Sequence, residues 1–264
     1  MKLTDAQHVE LAAQLFEAAR TGVGIAPPSE SLAFSFEDAY RIRRKLVDHL
    51  IADGAKPAGH KIGFTSEAMQ KMYGMTAPDF GILMDNMFTK SGAPLAIGHL
   101  SDTRAEPELA FELARPLEGP NVTLADALAA SSRVMAAIEV IDSRVGAMRA
   151  KANDSLADNA GAGFVVLGEI ALPPDAIDLA TVTLMMEVDG ASASAPAADV
   201  MGHPAEPLAW LANTLPKLNG LGGALKSGDI VITGAPVKSV AVQPGSQLHA
   251  TFGPFGTIDI DFVA

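Results

Sequence analysis

Apolar residues recur at helical spacing over the first part of the chain. Val9, Leu11, Ala12, Leu15, Phe16 and Ala19 follow the capping-box pair Thr4 and Gln7, and Gly22 closes the run. A second run, Ile42, Leu46, Val47, Leu50 and Ile51, starts behind Ser35 and Asp38 and ends at Gly54. A short third helix is expected from a cap at Ser66 through Met72 to Gly74. Residues 1–75 therefore read as a small helical N-terminal subdomain. From residue 76 onward the apolar period shifts from about 3.6 residues towards 2. The runs "PELAFEL", "AAIEVIDS", "GFVVLGE", "TVTLMMEVDG", "GDIVITGA", "SVAVQP", "SQLHATFG" and "GTIDIDFV" alternate and are separated by turn signals. Asp189-Gly190 marks a hairpin. Two helices interrupt them, one near Leu124–Ala130 behind Thr123 and one near Glu206–Leu218. This order lacks βαβα alternation, so residues 76–264 predict a β-rich domain, a sandwich or roll with a few packed helices, and the whole chain is α+β.

The alternation is most informative over Arg104–Leu113. As a strand it puts Pro107, Leu109, Phe111 and Leu113 on one face and Glu106, Glu108 and Glu112 on the other, with Glu106 and Glu108 about 7 Å apart. Aligned carboxylates repel unless water screens them, a proton neutralises one, or a cation lies between them. A half-buried strand with a solvated charged face is the alternative reading. Glu139 bears on the choice, because its neighbours in "VMAAIEVIDSR" are apolar up to Ile141. A carboxylate buried there costs several kcal/mol unless paired or protonated. If Glu139 meets Glu106 and Glu108, three carboxylates in one partly buried site require a divalent cation, and all-oxygen ligation favours Mg²⁺ or Mn²⁺ over zinc.

Composition narrows the partners. A net charge of −12 over 264 residues argues against nucleic acid and anionic membranes. An anionic substrate would then need a local cation. The absence of cysteine excludes disulfides, thiolate metal sites and cysteine nucleophiles. The polar N-terminus lacks a signal-peptide core, and no apolar run reaches membrane-spanning length, so a cytoplasmic protein is expected. Lys61, in "GHKIGFTS", alternates with Ile62 and is aimed inward if this is a short strand; otherwise it is a surface charge. Burial and a nearby cation would both depress its pKa. Residues 143–163, long, polar and rich in small side chains, form a surface loop or a lid. "GLGGAL" follows a helix and is no dinucleotide fingerprint. The histidines lack metal-ligand spacing, and there is no G-x-S-x-G elbow.

The elements "GHKIGFTS", "PDFGILMDNMF", "EPELAFEL", "AAIEVIDSR", "ADNAGAG", "GHPAEPLAWLAN" and "GDIVITGA", in this order over roughly residues 36–264, resemble the 2-hydroxypentadienoate (2-keto-4-pentenoate) hydratases and their relatives. Those relatives are 2-oxohept-4-ene-1,7-dioate hydratase and 4-oxalocrotonate decarboxylase, in the fumarylacetoacetate hydrolase superfamily. The resemblance implies a β-roll catalytic domain, Mg²⁺ or Mn²⁺ held by Glu106, Glu108 and Glu139, and Lys61 at the active site. It places Thr233, Gly234 and Asn159 on the substrate side. It also implies a homo-oligomer, with association to a related decarboxylase or hydratase. Pro107 departs from the aliphatic residue usual in the family, which puts strand pairing there in question.

The implied reaction is hydration of a 2-hydroxy-2,4-dienoate, through its 2-oxo tautomer, to a 4-hydroxy-2-oxo acid, with Lys61 binding the carboxylate and assisting proton transfer. The alternatives are decarboxylation of a 4-oxalocrotonate-type diacid and a catalytically silent partner subunit. Hydrolysis of a 1,3-diketone would want a histidine–acid pair, and none is evident. Asp79 separates the first two: the resemblance places an acid here in hydratases and an apolar residue in decarboxylases, and a carboxylate can position or deprotonate water. A turn after Pro78 is the structural alternative for Asp79.

Overall fold

In the computed structural model, which describes residues 2–66, 70–71, 74–146 and 149–264, two helices open the chain. Helix α1 (Asp5–Thr21) and helix α2 (Phe36–Ala52) each begin at a complete capping box, Thr4 with Gln7 and Ser35 with Asp38. Asp38 also accepts from buried His8 at 3.0 Å, which ties α2 to α1. Leu11, Leu15, Ile42 and Leu46 form the seam between them. Each such side chain removed from water contributes about 1.5–3 kcal/mol before entropy is counted. The helix expected from Ser66 to Gly74 falls largely outside the described residues.

The strands are β1 (Pro57–Gly63), β2 (Asp79–Met84), β3 (Phe88–Lys90), β4 (Leu95–Ala96), β5 (Thr103–Leu113), β6 (Ser131–Asp142) and β7 (Phe164–Leu172), then β8 (Thr183–Val188), β9 (Ala191–Pro196), β10 (Ile230–Ile232), β11 (Val240–Ala241), β12 (Gln247–Thr251) and β13 (Thr257–Val263). A curled eight-stranded sheet has the order β2-β1-β10-β5-β6-β7-β3, with β11 also on β5; a five-stranded sheet runs β4-β13-β12-β8-β9. The α+β roll expected from the sequence is the observed architecture. β1, which carries Lys61, lies inside the large sheet although it falls within the stretch read as helical.

The sheets pack around one large apolar cluster that takes Leu109, Phe111 and Leu113 from β5, Ile138 from β6, and Phe262 and Ile260 from β13. The opposite face of β5 is also covered near its middle, where Ala110 joins Leu83, Met135, Val165 and Ile232 in a second cluster. The expected solvated acidic face is therefore largely interior.

Pro107 is accommodated without loss of register, opposite Ile138 of β6. The Leu109 carbonyl accepts from Thr233 N. Residues two apart in a strand turn their backbone groups to the same side, so the Pro107 nitrogen faces the β10–β11 edge. That edge is interrupted there, since β10 pairs with residues 110–112 and β11 with 104–105. No donor is needed.

Residues 143–163 are no loose flap over their described positions. Val145, Leu156 and Ala157 are buried in the α1–α2 seam, and the helix Ala152–Ala157 packs on α2. Buried Arg144 donates through Nε to Asp158 Oδ1 at 2.6 Å and through Nη1 to the Ala162 carbonyl at 2.8 Å. The small residues read as lid composition instead allow a tight, buried crossing between β6 and β7.

Candidate active site

The β5–β6 register pairs Glu106 with Glu139 directly, and Glu108 lies one pleat further along the same face of β5. One carboxylate oxygen from each of the three lies within 4.8 Å of the others. Glu108 is fully buried and Glu139 nearly so. Glu108 Oε2 accepts from Gly234 N at 2.6 Å. Glu108 Oε1 and both Glu139 oxygens receive no hydrogen bond, despite their burial.

Lys61, also buried, places Nζ 3.1 Å from Glu139 Oε1 and donates to the Ala160 carbonyl at 3.1 Å. The Glu139 contact is ionic, and neither Glu139 oxygen receives a hydrogen bond. Burial pulls the ammonium pKa down, as expected, but Glu139, Asp79, Glu106 and Glu108 together outweigh it and hold the pKa above its ordinary value. Lys61 is a resident cation.

Burial and the Glu139 charge push Glu106 up to about 7, against Lys61 and Arg104. Burial, with the Glu139 and Glu106 charges, raises Glu108 well above the usual carboxylate range.

Asp79 heads β2 opposite Gly63 of β1. Burial pushes it up to about 6, opposed by Lys61, Arg43 and the Gly63 N–H. Its Oδ2 has no hydrogen-bond partner. A Cβ on Gly63 would lie 2.5 Å from Asp79 Oδ1 and 3.6 Å from Lys61 Nζ, so the missing side chain is what lets Asp79 pack against β1 beside Lys61. Asp79 is thus no mere turn cap. Buried Arg43 supports the strand behind it, donating to the Phe80 carbonyl at 2.6 Å and lying 4.0 Å above the Phe80 ring.

Lys61, Asp79 and Glu106 line a cleft of about 560 Å³, which Phe64, Asp158, Ala160 and residues 234–239 also wall. Gly234 opens onto it with a left-handed φ of +96°, where a side chain would strike Thr65. The other two residues read as substrate-side are committed elsewhere. Thr233 is fully buried and its hydroxyl donates to the Leu109 carbonyl at 3.3 Å. Asn159 accepts from Ile82 N and donates to the Ile82 carbonyl, both at 2.8 Å. Asn159 therefore acts as a one-residue continuation of the sheet edge, and places the Ala160 carbonyl against Lys61. Sequence reading missed Arg104, which shares the Glu106–Glu108 face by simple parity, and missed the Arg144–Asp158 pair, for which spacing gives no signal.

The acidic cluster fits a divalent, oxygen-seeking cation, because three buried carboxylate oxygens receive no hydrogen bond and only one of them, Glu139 Oε1, has an ionic partner in Lys61. A curled sheet with helices at the N-terminus is the fumarylacetoacetate hydrolase-like architecture, and here it carries an acidic cluster beside a buried lysine. Residues 51–263 match the family "Fumarylacetoacetate (FAA) hydrolase C-terminal". The chain is 36% identical over 265 residues to the 2-hydroxyhexa-2,4-dienoate hydratase of Comamonas testosteroni, covering 98% of this chain and 99% of that one. It is 38% identical over 236 residues to the 2-oxo-hept-4-ene-1,7-dioate hydratase of Escherichia coli, covering 87% of each. The structure of 4-oxalocrotonate decarboxylase from Pseudomonas putida G7, complexed with magnesium and adipate, superposes with a TM-score of 0.94 at 28% identity over 99% of both chains. The chain belongs to the fumarylacetoacetate hydrolase superfamily, in its family of 2-oxo/2-hydroxydienoate hydratases and decarboxylases.

Proposed function

We propose that this protein hydrates a 2-hydroxy-2,4-dienoate, as its 2-oxo tautomer, to a 4-hydroxy-2-oxo acid. Glu106, Glu108 and Glu139 would hold Mg²⁺ or Mn²⁺, which when bound supplies Lewis acidity towards the substrate's C2 oxygen. Lys61 keeps its proton and offers a fixed positive charge to the C1 carboxylate. Asp79, outside the cation cluster, is able to exchange a proton near neutrality, with its pKa pushed up to about 6 and one oxygen unsatisfied. As water oxygen bonds to C4 of the enone, Asp79 takes the water proton. The C3–C4 electron pair moves towards the C2 oxygen, and C3 is then reprotonated. Gly63, lacking a side chain, lets Asp79 sit close to Lys61 in the cleft.

The observation that carries hydration is the buried, half-unpaired Asp79 in the same cleft as Lys61. Decarboxylation of an oxalocrotonate-type diacid is the second reading, favoured by the full-length likeness to a decarboxylase structure. That reaction has no attacking water and gives Asp79 less to do. Incubation with Mg²⁺ and either 2-hydroxypenta-2,4-dienoate or 4-oxalocrotonate, followed by NMR, separates the two. A 4-hydroxy-2-oxo acid from the dienoate supports hydration. CO₂ release from the diacid with no hydration of the dienoate overturns it.

A further inference from the structure

Two relatives of nearly equal identity, 36% and 38%, carry names that differ at the far end of the substrate, a plain dienoate in one and a dioate in the other. Overall likeness therefore leaves the far end open, and the residues of the cleft must decide it. The site face of β5 reads Glu108, Glu106, Arg104 at successive pleats, and burial falls along it from fully buried Glu108 to half-buried Arg104. Arg104 lies one strand step of about 7 Å beyond Glu106, towards the mouth of the cleft it lines. Its guanidinium is held by Ser239, with Nε donating to Oγ and Nη2 to the carbonyl oxygen, both at 2.7 Å. That leaves Nη1 uncommitted among the described residues. Exposed Lys238, adjacent to Ser239, lines the same mouth.

Neither cation is within ion-pairing distance of a carboxylate among the described residues, in a chain with a net charge of −12. Of the other arginines near the cleft, Arg144 is paired with Asp158 and Arg43 donates to the Phe80 and Leu221 carbonyls. The wall of the cleft also carries the apolar side chains Phe64, Ile141 and Val237, beside the polar Thr65, Ser143 and Ser155. Acids at the buried end of this strand face and two cations at its more exposed end match a chain carrying an α-oxo acid at one end and a carboxylate at the other.

Resting on the function proposed above, we infer that the substrate is a dicarboxylate whose distal carboxylate is received by Arg104 and Lys238. A fixed guanidinium with a spare N–H pair is suited to a carboxylate.

Calorimetric titration of the Mg²⁺-loaded protein with 2-oxohexanedioate and 2-oxohexanoate, which differ only in the distal carboxylate, tests this. The diacid is expected to bind tighter by roughly tenfold or more. Lys238→Met, an exposed change that spares the fold, and Arg104→Met should each shrink the diacid-to-monoacid affinity ratio severalfold. Equal affinities in the unaltered protein, or an unchanged ratio in both variants, would overturn the inference while leaving the α-oxo acid site intact. Failure of both ligands to bind would overturn the functional reading, and this inference with it.

Discussion

Glu106 and Glu139 stand directly opposite each other across the β5–β6 ladder, two acids at one rung of a buried sheet. Like charges so placed destabilise a sheet, and Glu108 adds a third within 4.8 Å. Among the described residues Lys61 is the one cation in direct contact with them, and the Gly234 N–H the one donor. The metal-free protein therefore carries stored repulsion that a divalent cation would discharge.

Glu108→Gln should reveal that repulsion. The amide keeps an acceptor for the Gly234 N–H and removes one ionisable group. At pH 8 without metal the variant should melt about 2–4 °C higher than the unaltered protein, equivalent to about 1 kcal/mol. The Mg²⁺-induced rise in Tm, which ligand linkage gives the unaltered protein, should vanish. Calorimetric melting with and without Mg²⁺ checks both halves.

The acids also set a pH dependence. Glu106 is raised to about 7 and Glu108 is raised as well, so the folded, metal-free site binds more protons than the unfolded chain between the unfolded value near 4.5 and about 7. Stability from these groups is then greatest below 4.5 and falls as pH rises through the folded values. Metal binding must expel those protons. Mg²⁺ affinity should therefore climb from pH 5.5 to 8, by up to about tenfold per pH unit for each proton released. Titration at pH 6 in buffers of different ionisation enthalpy should show proton release; buffer-independent heats would contradict it.

Asp79→Asn should depress hydration by roughly 10²-fold or more, the usual cost of losing a general base, and leave Mg²⁺ affinity nearly unchanged. Enol–keto exchange of the substrate, followed by deuterium uptake, should survive. Full hydration rates in the variant would return the water-activating role to another group.

Much of this was legible in the sequence because the signals were local. Capping boxes at Thr4 and Ser35 and alternation over Arg104–Leu113 depend on near neighbours, and the structure follows them. Glu139 betrayed itself by being an acid in an apolar run. Long-range pairing left no such trace. Asn159 reads as a polar loop residue, yet its amide closes on the Ile82 backbone 77 positions away. Residues 143–163 look like a lid because small residues suit mobile loops and tight packing equally; burial of Leu156 and Ala157 against α2 decides for packing. Lys61 was expected to lose basicity on burial, but its pKa depends on four carboxylates from three strands, which only the assembled sheet brings together.

Gly63→Ala probes the packing of Asp79 against β1 without replacing a charged group. The added Cβ would meet Asp79 Oδ1 at 2.5 Å, and a side-chain end can yield, so the fold should survive with a small loss in Tm. Displacing Asp79 from the Gly63 N–H should lower hydration kcat by roughly tenfold or more, with Mg²⁺ titration heats preserved. Unaltered kcat would show that Asp79 need not sit against Gly63.

The account rests on Glu106, Glu108 and Glu139 acting as one cation site, and anomalous diffraction from crystals grown with Mn²⁺ tests that most directly. The expected result is a strong anomalous peak bonded to an oxygen of each of the three, with Lys61 Nζ alongside. A peak elsewhere, or no peak with the Lys61–Glu139 contact unchanged, would contradict it.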